Sequence, residues 1–209
     1  WEPSDDVFAL FGFRGSKGVS RRTNDDNERE VDGTVTELYG YWRDPLRLGF
    51  DVQAGRQDFD EPREWIHDQN LDALRLLWLG EGLRLELSAS TVLADGSRRD
   101  RESNNLLAYL SNGDWNRHVA AWVLRRSDTE SPDEDDPLHL GLRALGEWLP
   151  DQEVWLEAAW LRGEADDGLD RRAFGWDLGT TWSPVELEPF RLTAGLARGS
   201  GDVDTTDGV

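Results

Sequence analysis

Three observations in this 209-residue chain predict an all-β fold, and more narrowly a transmembrane, antiparallel, up-and-down β-barrel. Apolar and polar residues alternate with a period of two in one segment after another. Short and long connections alternate between those segments. The tryptophans gather beside the short connections.

The alternation is clearest in Leu138-His139-Leu140-Gly141-Leu142-Arg143-Ala144 and in Phe174-Gly175-Trp176-Asp177-Leu178-Gly179-Thr180-Thr181-Trp182. It recurs in Leu46 to Ala54 and in Leu83 to Ser90. A strand points successive side chains to opposite faces, so this pattern gives each segment one greasy and one wet face. Extended along the chain, it yields about eleven strands, over 6–14, 32–43, 46–57, 70–79, 83–94, 104–112, 115–126, 137–147, 152–163, 171–183 and 189–199. Such strands exceed the usual length of about 5–6 residues in globular proteins. They match the roughly 9–11 residues that cross a bilayer at a tilt.

Short connections fall around Asp44-Pro45, Gly80-Glu81-Gly82, Gly113-Asp114, Leu149-Pro150-Asp151 and 184–188; long ones fall at 15–31, 58–69, 95–103, 127–136 and 164–170. Tight turns at one rim and longer loops at the other are the mark of an up-and-down barrel in a membrane; the Greek-key crossings of a sandwich do not produce them. Trp42, Trp78, Trp115, Trp148 and Trp182 each sit beside a short turn, and Trp1 precedes another. Together they predict an aromatic girdle at one headgroup level. Tryptophans capping a soluble core have no reason to prefer one rim.

Composition agrees. The chain is 37% hydrophobic with a mean hydropathy of -0.68, and no run approaches the roughly 20 apolar residues of a membrane helix. A barrel strand needs no such run, because only every second residue meets lipid. The absence of cysteine removes disulfide, zinc-knuckle and thiol chemistry. The chain contains no Met and opens on Trp1, which reads as a retained part of a longer precursor. Eleven strands are odd in number, whereas bacterial single-chain barrels use even numbers, so further strands are expected beyond this chain. The net charge of -20 argues against nucleic acid or an anionic membrane surface as partner. Much of that charge sits in loops: Ser127 to Pro137 holds six acids and no base, and Gly163 to Asp170 holds four.

The face opposite the apolar one should line the lumen. Alternation assigns Arg47, Asp51, Gln53, Arg84, Glu86, His139, Arg143, Asp177, Arg191 and Thr193 to it. Arginine is enriched there relative to the chain as a whole. Its planar fork pairs with carboxylates, as a passage for carboxylated sugars requires, and a basic ring is a known device for anion selectivity. The same arginines can instead pair with Asp51, Glu86 and Asp177 to satisfy a filled lumen.

Catalytic and metal chemistry find little support. His67, His118 and His139 lack metal-ligand spacing, no nucleophile elbow is present, and the acidic runs lack the ligand spacing of a calcium loop. No catalytic residue, metal site or cofactor is expected.

One segment is distinctive: Gly55-Arg56-Gln57, then Arg63-Glu64-Trp65, then Leu71-Asp72 with Arg75 following. With Gly199-Ser200-Gly201-Asp202 near the end, in the same order, it resembles the alginate export family of outer-membrane proteins. The resemblance implies an 18-stranded barrel that passes anionic polyuronate, with arginines at the constriction and loops folded over the mouth. On matching positions it implies a substrate-path role for Arg56, Arg63, Arg75 and Asp72; Arg47, Arg84, Arg143 and Arg191 rest on alternation alone. Residues 1–209 then form one partial barrel domain in the bacterial outer membrane. The expected partners are an alginate-like anionic polysaccharide, outer-membrane lipid and periplasmic export machinery. Two alternatives stay open: a general or uptake porin for small anionic solutes or oligosaccharides, and a soluble all-β carbohydrate-binding domain or lyase.

Overall fold

The computed structural model describes residues 6–21, 27–60, 63, 65–66, 68–93, 103–113, 117–128, 137–164 and 170–200. Eleven strands run in chain order: β1 Val7–Arg21, β2 Asn27–Trp42, β3 Phe50–Asp60, β4 Asp68–Leu79, β5 Leu83–Thr91, β6 Ser103–Gly113, β7 His118–Asp128, β8 Leu138–Leu149, β9 Gln152–Glu164, β10 Asp170–Trp182 and β11 Leu192–Gly199. Each pairs antiparallel with its neighbour, and one sheet results, ordered β1 to β11 without a crossover. The predicted all-β meander and its strand count are what the structure has.

Several boundaries differ from the sequence reading. The first hairpin is longer than alternation suggested, because β1 and β2 stay paired out to Arg21 and Asn27. Backbone pairing carries the ladder through residues too charged to show a period of two, and the connection shrinks to 22–26. The β10–β11 connection, conversely, spans 183–191 and contains a short 3-10 turn, Val185–Leu187. The two kinds of connection therefore alternate strictly by rim but not by length. A third difference moves Leu46 to Gly49 off the strand, since β3 begins at Phe50. Asp44, Arg47 and Gly49 all have positive φ (39, 54 and 78°), in the left-handed region that turns the chain instead of extending it. The Asp44 carboxylate accepts from the Gly49 amide at 2.7 Å, and the Arg47 amide donates to the Asp44 carbonyl at 3.1 Å.

Register assigns the faces. The row Trp42–Val52–Leu76–Leu87–Ala108–Val123–Leu140–Trp160–Phe174 runs across nine strands on one face. It starts at the short-turn end of β2 and finishes near the long-connection end of β10, so the sheet is sheared as barrel geometry requires. The next row over, on the opposite face, is Glu86–Tyr109–Trp122–Gly141–Ala159–Gly175.

Burial across these faces is the reverse of a water-soluble protein. Leu106 is 56% exposed, Leu142 52% and Leu196 62%, whereas Arg143 is 2%, Glu157 1% and His118 2%. A soluble sheet would lose on the order of 25 cal/mol for every Å² of this apolar wall left in water. In lipid that wall has no such cost, and the polar side chains turn inward, away from it. Trp42, Trp148 and Trp182 sit on the wall at the short-turn rim, each 39–48% exposed, in the predicted girdle position. Trp78 shares the rim, while Trp1 and Trp115 lie outside the described residues.

Two other tryptophans point inward and lie flat against the wall. A Cβ on Gly141 would fall within the indole of Trp122, and one on Gly179 within that of Trp155; Gly195 comes next to the same ring. Bare backbone on the neighbouring strands makes the sockets these rings occupy.

Candidate functional site

The inner face carries the polar chemistry, and its charged groups come in clusters built by cross-strand register. Gln53, Arg75 and Ser88 lie in one row, and Leu77, Glu86 and Tyr109 in the next. Arg75 Nε therefore reaches Glu86 Oε1 at 2.8 Å, and Arg84 NH2 meets Glu86 Oε2 at 3.1 Å. Two guanidiniums converge on one carboxylate, so these three side chains together carry a net positive charge. The Arg75 guanidinium also lies over the Phe59 ring, 4.6 Å from its centroid.

A second cluster repeats this design across the lumen. Arg63, in the connection between β3 and β4, pairs with Asp177 on β10 and lies 4.8 Å from the ring centroid of Trp155. The indole N–H of Trp155 donates to Asp177 Oδ1 at 3.0 Å. In both clusters a guanidinium stacks on an aromatic face while a carboxylate fixes its fork. Arg63 thus lies over the concave side. Ile66, two residues before β4, packs on the buried group Leu107, Tyr109, Ala120, Trp122 and Leu124.

A third pair, Arg143 on β8 with Glu157 on β9, is fully buried within the wall lining. Tyr109 Oη and His118 Nε2 stand 2.9 Å apart, also buried. At the short-turn rim the Tyr41 hydroxyl donates to Asp51. Among the described residues no group of three or more His, Asp or Glu is placed to hold a metal ion.

The predicted site residues divide by position. Arg63, Arg75, Arg84 and Arg143 lie on the inner side, together with Asp51, Gln53, Glu86, His139 and Asp177, as alternation assigned where it was applied. Arg56 and Asp72 pair with each other at 3.3 Å, but register puts both on the outward face, in line with Ala54 and Leu74. The Leu93 amide donates to the same Asp72 carboxylate at 2.8 Å. Arg47 is in the β2–β3 turn and exposed, for the backbone reason given above, so alternation misassigned it. Arg191 shares the parity of Thr193 but stands one residue before β11, exposed in the short-turn connection.

The Gly-Arg-Gln motif has a structural meaning of its own. Gly55 has φ 125°, and a Cβ there would collide with the Leu38 carbonyl and the Tyr39 Cα on β2. The Gln57 side chain is completely buried, donating to the carbonyls of Gly55 at 3.2 Å and Ala73 at 3.1 Å. The motif ties β3 to both neighbours. Sequence reasoning missed Trp122, Trp155, Phe59 and Tyr109. Their signal is a glycine, or a matching polar group, on the adjacent strand, which only the register reveals.

Comparison with known proteins gives a family match. The model described as "Alginate export" matches residues 15–209. No curated protein matches the chain. Among solved structures, a loop-deletion mutant of OmpT, an outer membrane protein of Vibrio cholerae, aligns at TM-score 0.47 and 11% identity over 95% of this chain and 96% of that one. In-vitro folded OmpT from the same organism, in trimer form, aligns at TM-score 0.45 and 10% identity, over 93% and 89%.

Proposed function

The chain belongs to the alginate export family, an outer-membrane export channel of bacteria, and from that premise we propose that it passes a carboxylated polysaccharide by anion-selective diffusion down a gradient. Residues 1–209 act as one barrel domain in this reading, and catalysis has no part in it. The carrying observation is the pair of stacked arginine clusters, Arg75–Phe59 with Glu86 and Arg84, and Arg63–Trp155 with Asp177. A uronate presents a carboxylate at a sugar ring's edge. Arginine matches the carboxylate in a planar fork, and an aromatic beside it offers the ring an apolar face. Side chains already held by Glu86 and Asp177 exchange one carboxylate for another as the chain moves, so no residue of the polymer is bound too tightly to leave. Arg143 supports the same wall from a buried position.

Reversal potentials of the full-length protein in planar bilayers test this. We expect anion preference, block by polyuronate, and a shift toward cations in Arg75→Gln/Arg84→Gln. Cation preference in the unmodified protein would sink the proposal, as would no block by polyuronate at any concentration; the second outcome would favour a general porin.

A further inference from the structure

Above the apolar band, the outer wall carries a row of arginines. Arg125 on β7, Leu138 on β8, Arg162 on β9 and Arg172 on β10 are consecutive partners in one cross-strand row. Their parity is that of Val123, Leu140, Trp160 and Phe174, so they face outward, away from the lumen. All three arginines are exposed. Each lies within three residues of the long-connection end of its strand. Directly beneath them, Trp160 and Phe174 pack at a centroid distance of 5.3 Å and are 42 and 37% exposed. Arg198, the register partner of Trp176, adds a fourth outward cation on β11.

We propose that this patch binds the phosphorylated headgroup of an outer-leaflet glycolipid. The long-connection rim of such a barrel faces the cell exterior, so the arginine row lies at the level of the outer leaflet's headgroups. The row places three guanidiniums on one outward stretch of a chain whose net charge is -20. Guanidiniums on β7, β9 and β10, in one row, meet phosphate oxygens in bidentate geometry. The Trp160–Phe174 pair and the leucines below supply the contact for acyl chains. One ligand that is anionic at its head and apolar in its tail satisfies both halves of the patch; a soluble anion satisfies only the upper half.

Native mass spectrometry of the full-length protein in detergent tests this with bisphosphorylated lipid A, the same lipid enzymatically stripped of its phosphates, and inorganic phosphate as competitor. Retention of the phosphorylated lipid over the stripped one is expected, with inorganic phosphate failing to displace it at equal concentration. Arg162→Gln should weaken retention about fivefold, and Arg125→Gln/Arg162→Gln/Arg172→Gln about a hundredfold, at the usual contribution of a basic residue near an anionic surface. The triple Lys variant should keep most of the binding. Equal retention of both lipids, unchanged retention in the Gln variants, or displacement by equimolar phosphate would overturn the proposal. If the triple Gln variant fails to fold, judged by heat-modifiable gel mobility, Arg162→Gln decides the matter. The inference rests on the outer-membrane placement and not on anion transport, so a variant that conducts normally yet loses the lipid leaves the channel reading intact.

Discussion

The Arg143–Glu157 pair offers a test of whether a buried arginine builds the wall or serves the proposed path. Both side chains are almost wholly excluded from solvent, at 1 and 2%. Replacing Arg143 with Met removes the counter-ion of a buried carboxylate, and breaking such a pair costs about 3–5 kcal/mol. With a urea slope on the order of 2–3 kcal/mol per molar for a domain of this size, the unfolding midpoint should fall by about 1–2.5 M. The double change Arg143→Met/Glu157→Leu replaces the pair with apolar groups of similar volume and should recover most of that loss. Tryptophan fluorescence during urea unfolding from detergent micelles reads both, since Trp122 and Trp155 flank the site on the inner face. The refolded double variant should also keep the ion preference of the unmodified channel, because neither side chain reaches solvent. A single variant with an unchanged midpoint would refute the reasoning, as would a double variant no more stable than the single. A selectivity shift in the double variant would place Arg143 in the path instead.

Three further outcomes follow from the geometry. Leu156→Arg puts a charge on the outward wall at mid-strand and should destabilise the refolded barrel by about 2–4 kcal/mol in vesicles; an unchanged stability would mean that this face does not meet lipid. Gly179→Val drives a side chain into the Trp155 indole and should cost about 1–3 kcal/mol by overpacking, whereas Gly199→Val, with nothing near its Cβ, should cost far less in the same urea titration. Arg63→Ala removes the group that fastens the β3–β4 connection to Asp177 and Trp155, and single-channel conductance should rise; equal conductance would show that this connection does not narrow the lumen.

Alternation read correctly wherever a strand has one polar and one apolar face. Arg84, Glu86, His139, Arg143 and Asp177 were legible for that reason, since polar residues at every second place can only line the lumen. It failed at Arg47, where a regular pattern runs through residues whose backbone is a turn, because side-chain polarity carries no record of φ. It was silent at Arg75, which lies within Leu74-Arg75-Leu76-Leu77-Trp78-Leu79, a run apolar on both faces. The family motif did point to Arg75. It pointed also to Arg56 and Asp72, which pair across β3 and β4 on the outer wall.

The sequence by itself determined that this protein is an antiparallel meander, which rim holds the tight turns and which face of most strands is wet, because each of these is a local property of two or three successive residues. Only the tertiary structure decided who meets whom. Register between strands far apart in the chain sets Glu86 between Arg75 and Arg84, lays Trp155 over Gly179 and aligns Arg125, Arg162 and Arg172 in one outward row. A shift of one residue would turn every one of these side chains to the other face, and no local pattern fixes that choice. Nor does any local pattern send Arg63 across the lumen to a strand more than a hundred residues away.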